Sequence, residues 1–329
     1  MSATPVDAPA APSSIEPTKA VPRFTPRKLP LPKSVHRQVL WIYAIPIPTV
    51  HLLACLAFIP YYFTWTGLIV AIIGIHVFGD LGINLCYHRL LAHRSFKTSR
   101  WFERFLVLFA LCSLEDTPAK WVATHRIHHK ESDEEDDPHS PFVNFFWSHM
   151  GWLFVYNSGT RSISAFQRFA RDILDDGFYM ALEKSPIAPL IYLLHALLYF
   201  VIGLAIGWAY GGYSEGLRLG SSLLVWGVFV RTVAVWHITW SVNSLTHLFG
   251  YRLNETTDGS RNNWFVAALS AGEGWHNNHH YDQSSASVQL RWWEIDLTYY
   301  TILTFRALGL AWDVIPPRHK RQAARNTTA

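Results

Sequence analysis

Residues 125–129 read His-Arg-Ile-His-His, and residues 276–280 repeat the spacing as His-Asn-Asn-His-His. On a helix, positions i, i+3 and i+4 share one face, so each H-x-x-H-H stretch is expected to direct three imidazoles toward one point. Two further histidines, His88 and His93, have a spacing that on an ideal helix sets the rings roughly 140° apart. These two are therefore predicted either to serve different metals or to lie where a helix ends.

The composition indicates a membrane protein. The chain is 50% hydrophobic and 16% charged, with 15 Trp, 14 Tyr and 20 Phe, which is more aromatic and less charged than an average soluble domain. Its basic residues cluster near the chain ends, so the mild net charge of +4 gives no indication of nucleic-acid binding. The three cysteines form no C-x-x-C motif, which excludes a disulfide framework and a cysteine-ligated iron–sulfur cluster.

Four apolar stretches are long enough to cross a bilayer of about 30 Å. They cover residues 39–63, 68–87, 189–210 and 219–245. A shorter apolar segment, residues 101–114, is predicted to be re-entrant or interfacial. Basic residues precede the first stretch and follow the second, so the positive-inside rule places both ends of this hairpin in the cytoplasm. Four spans then place both termini and the histidine motifs on the cytoplasmic side.

The histidine motifs are spread so widely that a single domain is predicted, over residues 36–315. Residues 1–35 are rich in Ala, Pro, Ser and Thr and predict a disordered basic leader. Residues 316–329 predict a frayed basic tail. The acidic run at residues 131–137 is interpreted as a solvated face. Asp80, within the second span, is expected to contact protein groups rather than a metal.

The histidines exceed what one metal can use. Eight lie in the three motifs, and His247, one helical turn after Asn243, adds a ninth. Zinc takes four ligands and an octahedral ion six, so two metals are implied. Imidazole suits iron, zinc, copper or nickel. The aromatic, lipid-embedded setting without an H-E-x-x-H motif favours iron and oxygen chemistry on an apolar substrate over hydrolysis.

Four motifs in this order resemble the integral-membrane fatty acid desaturases, in particular the Δ9 group of stearoyl-CoA desaturase-like and bacterial acyl-lipid enzymes. They are His-Arg-Leu-Leu-Ala-His at 88–93, His-Arg-Ile-His-His at 125–129, Asn-Ser-Leu-Thr-His at 243–247 and Gly-Glu-Gly-Trp-His-Asn-Asn-His-His at 272–280. Supporting stretches are Asp-Pro-His at 137–139, Ser-His-Met-Gly-Trp-Leu at 148–153 and Trp-Glu-Ile-Asp-Leu-Thr at 293–298. The resemblance covers about residues 40–315.

This resemblance implies an all-α integral membrane protein, with four transmembrane helices and a cytosolic helical cap that holds a histidine-rich di-iron site. The metal ligands that it implies are His88, His93, His125, His128, His129, Asn243, His247, His276, His279 and His280. Asn243 would reach one iron through water, and no catalytic side chain is expected beyond the ligands. Trp121, Trp236 and Trp240 occupy positions that line the acyl path in the family, although tryptophan also favours the membrane interface.

The implied activity is that of an O2-dependent oxidoreductase of fatty acid biosynthesis. Two irons would activate O2 and remove hydrogen atoms from two adjacent methylenes of a saturated acyl chain, leaving a cis double bond, most simply at Δ9. Nothing in the chain resembles a fused electron-transfer domain. The electrons would therefore come from an external partner such as ferredoxin, cytochrome b5 or a flavoprotein reductase.

The carrier of the acyl chain stays open between CoA, a membrane lipid and a carrier protein. Acyl-CoA enzymes of animals have basic residues before the H-x-x-H-H stretch and after the S-H-x-G-W-L stretch. The corresponding residues here are Ala123 and residues 156–157, a Tyr-Asn pair, which puts a CoA thioester in doubt. Arg161, Arg168 and Arg171 could supply the missing charge instead.

Other functions share some of these features. A membrane di-iron hydroxylase, or a desaturase of another regiochemistry, has the same motifs. A histidine-rich metal transporter should carry its ligands near the bilayer midplane on broken helices, whereas these motifs follow the ends of apolar stretches. In each case the chain is a multi-pass membrane protein, of the inner membrane if its source is bacterial.

Overall fold

The computed structural model describes residues 24–328, so residues 1–23, most of the predicted leader, lie outside the described part. The described chain is mainly helical. Its α, 3-10 and π helices are Trp41–Ala44, Pro46–Ala54, Cys55–Phe58, Pro60–Tyr62, Trp65–Gly74, Ile75–Ala92, Arg100–Leu111, Pro118–Glu131, Phe145–His149, Gly151–Leu153, Ser158–Arg161, Ile163–Phe169, Arg171–Leu174, Gly177–Lys184, Ile187–Leu224, Val225–Val230, Arg231–Leu248, Trp264–Leu269, His276–Tyr281, Leu297–Ala307 and Arg318–Thr328. The strands form two short antiparallel pairs, Val35–Val39 with Val155–Asn157 and Lys97–Thr98 with Ala311–Trp312.

Within the described residues, three helical stretches are long and apolar enough to cross a membrane. They are Trp41–Phe58, Trp65–Ala92 and Ile187–Leu248. The last stretch contains both the third and the fourth predicted span. Its helical backbone is interrupted at Gly211 and Gly212, where Gly212 has a φ of 76° that favours glycine. The two arms then pack closely, since a Cβ on Gly203 would lie 2.7 Å from the Cα of Gly220.

The segment Ile75–Ala92 is a π-helix at the centre of the packing. The helix Arg100–Leu111, where a re-entrant or interfacial segment was predicted, lies against it and buries Leu106 in the contact while Trp101 points outward. The approach is close because a Cβ on Gly82 would lie 2.6 Å from a backbone nitrogen of the neighbouring helix. The π-helix thereby reaches the histidine motifs with both its ends fixed by neighbours.

Asp80 lies in this π-helix and contacts protein groups, as expected. Its carboxylate accepts a hydrogen bond from the Thr298 hydroxyl at 2.6 Å. The contact joins the apolar stretch to the helix Leu297–Ala307, which follows the last histidine motif in the sequence. Asp80 therefore belongs to the packing between the spanning helices and the polar part of the chain.

Both ends of the described chain are better anchored than their composition predicts. Leu29 is buried and its backbone N–H donates to the carbonyl of Phe142 at 3.0 Å, so ordered contacts begin before the predicted leader boundary at residue 35. At the other end, the tail predicted to fray forms the helix Arg318–Thr328. The Arg321 guanidinium donates to the Asp282 carboxylate at 2.7 Å. Long-range ion pairs and backbone hydrogen bonds, which composition does not reveal, hold both segments.

Candidate metal centre

The nine predicted histidine ligands gather into two groups. The first histidine cluster comprises His88, His93, His125, His129 and His279, and the second histidine cluster comprises His128, His247, His276 and His280. Within each group, one ring nitrogen per residue lies within 4.8 Å of those of the others. The two clusters adjoin, since the ring centroids of His129 and His280 are 4.5 Å apart.

Each H-x-x-H-H stretch divides its histidines between the two clusters. The helix Pro118–Glu131 contributes its i and i+4 rings to the first cluster and its i+3 ring, His128, to the second. The helix His276–Tyr281 contributes its i and i+4 rings to the second cluster and its i+3 ring, His279, to the first. The expectation that one stretch directs all three imidazoles to one point is wrong. Positions i+3 and i+4 are consecutive, so their side chains diverge by about 100° around the helix and face different centres.

His88 and His93 meet because the helix that carries them is a π-helix. The backbone N–H of His93 donates to the carbonyl of His88 at 3.0 Å, an i to i+5 hydrogen bond that closes the helix. The wider turn brings residues five apart close together, and the two ring centroids are 4.7 Å apart. The pair therefore lies at a helix end, the second of the two alternatives, and both rings join one cluster.

In both clusters the Nε2 atoms of neighbouring rings face one another. The Nε2 to Nε2 distances are 3.1 Å for His88 and His279, 2.7 Å for His93 and His125, 3.0 Å for His125 and His129, 2.9 Å for His129 and His279, and 3.1 Å for His247 and His276. Such convergence of Nε2 atoms is the arrangement expected of imidazoles around metal ions.

Buried carboxylates lie behind four of these histidines. The Nδ1 to carboxylate distances are 3.1 Å for His128 and Asp137, 2.7 Å for His247 and Asp133, 2.5 Å for His280 and Asp258, and 3.0 Å for His88 and Glu273. An ionised carboxylate only accepts hydrogen bonds, so the Nδ1 atoms of His128, His247 and His280 carry the proton and donate it. The Nδ1 atom of His88 lies within ion-pair distance of Glu273. The Nε2 atom of each ring then presents its lone pair to the cluster, as in carboxylate–histidine–metal arrangements.

Electrostatics favour the ionised form of the Glu273 and Asp258 carboxylates and the neutral form of the His129 ring. Burial by itself would raise the pKa of Glu273, but the Arg89 guanidinium and His88 outweigh it and lower that pKa to about 2. Burial likewise opposes ionisation of Asp258, yet His280 holds the pKa of this carboxyl far below its usual range. For the ring of His129, burial and then His125 hold the pKa well below its usual value. Neutral imidazole is the form that binds metals.

The residues present fit two metal ions. The Nε2 atoms of His128 and His280 are buried and have no hydrogen-bond partner among the described residues, and such atoms are costly in a folded protein. Nε2 lone pairs directed at one point also repel one another unless a cation lies between them. The first cluster supplies five imidazoles and the second supplies four, and imidazole nitrogens are ligands that iron and other transition metals accept. Carboxylates orient some of these rings.

A cavity of about 470 Å³ adjoins the first histidine cluster and is mostly apolar. His125 lies on its wall with Trp121, whose ring stacks on the imidazole at a centroid distance of 5.0 Å. Trp236 and Trp240 line it too and are only 1% and 4% exposed. All three tryptophans thus line the cavity, and their role in binding an acyl chain stays a prediction.

Asn243 lies on the wall of the same cavity, near His139. The ring of His139 is 4.5 Å from that of His128 by centroids, and together with Asp137 these residues form a third group of potential metal-binding atoms. The family resemblance implies that Asn243 reaches one metal through water. That role for Asn243 stays a prediction.

Sequence reasoning missed the four carboxylates. The interpretation of residues 131–137 as a solvated face is wrong for Asp133 and Asp137, which are buried against histidines. Asp137 and Glu273 lie inside stretches that carry the family resemblance, so their neighbours in sequence were a usable signal. Asp258 lies in a loop between helices and has no such signal.

The chain is similar to known fatty acid desaturases. The family model described as fatty acid desaturase matches residues 61–311. The chain is 43% identical over 281 residues to an sn-1 stearoyl-lipid 9-desaturase of Anabaena variabilis, covering 85% of this chain and 96% of that protein. A protein of the same description from Synechocystis sp. is 41% identical over 278 residues, covering 84% and 81%. An acyl-CoA 5-desaturase of Anemone leveillei is 40% identical over 265 residues, covering 80% and 77%.

Proposed function

This chain belongs to the fatty acid desaturase family and is an oxidoreductase of lipid metabolism, and from this premise we propose that it introduces a cis Δ9 double bond into a saturated acyl chain of a membrane lipid. The observation that carries the proposal is the junction of His125 with the cavity. There a predicted metal ligand, stacked on Trp121, forms part of an apolar wall. An acyl methylene in this cavity would lie beside the first histidine cluster.

We propose that the two histidine clusters each hold one iron ion. Iron bound there supplies the activation of O2 and the removal of hydrogen from two adjacent methylenes. The chain's own contribution is orientation. The carboxylates of Asp133, Asp137 and Asp258 fix the tautomer and ring angle of their histidine partners, and Glu273 does the same for His88.

The cavity sets which carbon meets the histidines. A saturated methylene has no polar group for recognition, so the shape of the wall has to position it. Trp236 is held by a hydrogen bond from its Nε1 to the carbonyl of Ser113 at 2.9 Å, and its ring stacks on Trp240 at 5.7 Å. A wall fixed in this way can hold one methylene in register to within about an ångström, as hydrogen removal requires. The Δ9 position itself rests on the names of the cyanobacterial relatives.

Two features favour a lipid over CoA as the carrier of the acyl chain. Ile42 and Ile47, from the first apolar stretch, line the cavity, and Ile42 is also exposed on the outer surface, so the cavity reaches a helix that would face lipid. Arg161, a candidate for binding CoA phosphates, is buried and pairs with Asp116 at 3.3 Å. A guanidinium engaged in that way is poorly placed for a phosphate in solvent.

The proposed arrangement in the membrane has four spans, with the interrupted stretch Ile187–Leu248 supplying two of them. Both termini and the histidine clusters would then face the cytoplasm. O2 would be the co-substrate, and an external electron donor would supply the reducing equivalents. Glycosylation-site or cysteine-accessibility mapping of the turn at Gly211 tests the topology, since that turn should be the accessible site on the outer face.

Expression in a bacterial host that lacks Δ9 acyl-lipid desaturation tests the activity. We expect a new cis-Δ9 monounsaturated acid in total lipid with the native chain and none with His128→Ala, as measured by mass spectrometry of derivatised fatty acids. A hydroxy acid in place of the unsaturated acid would support the hydroxylase instead. A double bond at another position would retain the desaturase and correct only the regiochemistry.

The carrier is tested with purified protein, O2 and an electron-donor system of NADPH, ferredoxin–NADP reductase and ferredoxin. One sample contains nanodiscs of distearoyl phospholipid, and the other contains stearoyl-CoA in nanodiscs of unsaturated lipid. We expect product on the phospholipid only. Product from stearoyl-CoA at an equal or higher rate would contradict the lipid carrier while leaving desaturation intact.

A further inference from the structure

The first histidine cluster approaches a polar surface of the protein, whereas the second is buried throughout. His93 and His129 are only partly buried, and each is followed in the chain by an exposed basic residue. Arg94 has 62% of its side chain exposed and Lys130 has 49%. An exposed basic residue therefore directly follows each of these two partly exposed histidines in the chain.

The C-terminal helix adds further positive charge beside the clusters. The backbone N–H of Arg318 donates to the Asp282 carboxylate at 2.8 Å, and Arg321 pairs with the same carboxylate. Asp282 follows His280 by two residues, and the Arg318 guanidinium lies 5.1 Å from the ring of Tyr281 between them. The helix is thus fixed against the segment that carries the ligands, with Arg318 and Lys320 exposed.

These two basic regions belong to one face. The backbone N–H of Ile315, just before the C-terminal helix, donates to the carbonyl of Ser95 at 2.8 Å, next to Arg94. We define the basic rim as the residues Arg94, Lys130, Arg318, Lys320 and Arg321. The acidic residues within it, Asp172, Glu131 and Asp282, are each paired with one of these bases. Exposed carboxylates near these segments are paired as well, Asp313 with Lys97, Glu134 with Arg27 and Glu135 with Lys33. The five bases of the rim therefore outnumber the three carboxylates that are paired with them.

We propose that the basic rim is the docking surface for a small acidic one-electron carrier protein, and that electrons enter through the first histidine cluster. The proposal rests on the proposed function, which needs an external donor. Electron transfer slows steeply with distance, so the donor has to dock where the clusters come nearest to solvent. Contact between the rings of His129 and His280, 4.5 Å apart by centroids, connects the entry point to the second cluster.

The balance of the reaction requires two docking events per turnover. The acyl chain loses two hydrogen atoms as its double bond forms. The carrier contributes two electrons, one at each encounter, and the solvent contributes two protons. O2 accepts the four reducing equivalents and leaves as two molecules of water.

The observations favour a protein over a lipid surface as the occupant. The C-terminal helix reads Arg-His-Lys-Arg-Gln-Ala-Ala-Arg-Asn-Thr-Thr and has no large apolar side chain to insert into a bilayer. It also lies after residue 311, where the match to the desaturase family model ends. Charge complementarity of this kind acts mainly on the rate of association and on its salt dependence. Both quantities can be measured.

The test uses the full-length enzyme in nanodiscs of neutral lipid with reduced plant-type [2Fe–2S] ferredoxin, an acidic carrier, as the probe. The variant is Arg318→Glu/Lys320→Glu. The matched control, Lys33→Glu/Arg37→Glu, makes the same charge change at exposed residues of the N-terminal segment. We expect the variant to slow ferredoxin oxidation by about 10-fold at low salt and to flatten its salt dependence. The control should behave as the native chain.

Two further measurements separate the alternatives. Anaerobic reduction of the enzyme by reduced methyl viologen, followed by removal of the dye and mixing with O2, bypasses docking and should give equal product per enzyme in the native chain and the variant. An equal loss with both donors would show a structural defect and overturn the proposal. A defect confined to nanodiscs with anionic lipid would assign the rim to the membrane and also overturn it. Binding of oxidised ferredoxin, measured by calorimetry, tests the surface even if no product forms with methyl viologen, the result that would contradict the proposed function.

Discussion

The two histidine clusters differ in what lies behind their rings. In the second cluster, three of four histidines donate to buried carboxylates, and all four rings are buried. In the first cluster, only His88 has such a partner, Glu273, and three of the five rings are partly exposed. Hydrogen bonds to carboxylates therefore orient most rings of the second cluster, while four of the five rings of the first cluster have no carboxylate partner among the described residues.

This difference indicates a division of labour. A ring oriented by a carboxylate is fixed before metal binds, so the second cluster is the preorganised one. The first cluster adjoins both the cavity, through His125, and the basic rim, through His93 and His129. Substrate and electrons would therefore both arrive at the less rigid cluster. The following predictions separate the two.

The largest effect is expected from the loss of one ligand in the four-histidine cluster. His247→Ala should lower desaturation by more than about 100-fold and reduce bound iron from two ions to one, because three imidazoles and water replace four. His93→Ala leaves four ligands in the first cluster, so we expect a smaller loss. Iron analysis of the purified proteins, with product formation, measures both. Equal effects of the two substitutions would contradict the comparison.

Removal of a carboxylate should weaken the second cluster without disturbing the first. Asp258→Asn takes the charge from the group that orients His280, and such changes typically cost about 10–100-fold in metal affinity. Competition with a chelator of known affinity measures it. Glu273→Gln is the counterpart for the first cluster and should also disturb Arg89, which its carboxylate binds at 2.8 Å. If Asp258→Asn released both ions at once, the clusters would not be independent.

Metal removal should proceed in two phases. We expect dialysis against a chelator to take the ion from the partly exposed first cluster several-fold faster than from the buried second cluster. Sampling iron content over time, with residual activity, follows the two phases. In Asp258→Asn the phases should merge, because the second ion leaves sooner. A single phase in the native chain would show that exposure does not control release.

The smallest effect is expected from the wall of the cavity. Trp121→Leu removes the ring that stacks on His125, and we expect a loss of activity of about 2–5-fold with a second double-bond position in the product. Trp101→Leu is the matched control, since this residue is 63% exposed and faces away from the cavity. Analysis of double-bond positions in the product distinguishes them. An unchanged product profile in Trp121→Leu would remove this residue from the acyl path.

Much of the site was predictable because spacing encodes it. The histidine motifs and the apolar stretches follow from local patterns that survive folding, whereas the tryptophans were predicted from the family resemblance. The division of each H-x-x-H-H stretch between two clusters was not predicted, although the divergence of positions i+3 and i+4 is a property of any α-helix. The meeting of His88 and His93 needed a π-helix, for which residue type alone is a weak signal.

The rest depended on contacts between residues distant in sequence. Asp133 and Asp258 contact histidines from other segments of the chain. The sequence of an acidic run does not indicate which of its residues will be buried. The anchoring of Leu29 and of the C-terminal helix likewise comes from partners more than thirty residues away. Composition describes the average environment of such segments, whereas a single buried hydrogen bond decides their structure.

The helices Pro118–Glu131 and His276–Tyr281 each supply histidines to both clusters, and this arrangement affects how the protein matures. His279 belongs to one cluster and its neighbour His280 to the other, so neither cluster is complete until the last part of the chain has been synthesised. By then every apolar stretch that could enter the membrane has already left the ribosome. Metal ions bound as proposed would therefore be acquired after membrane insertion and would join the early and late segments of the chain. Metal starvation would then leave an inserted protein without these contacts, exposed to the cell's proteases.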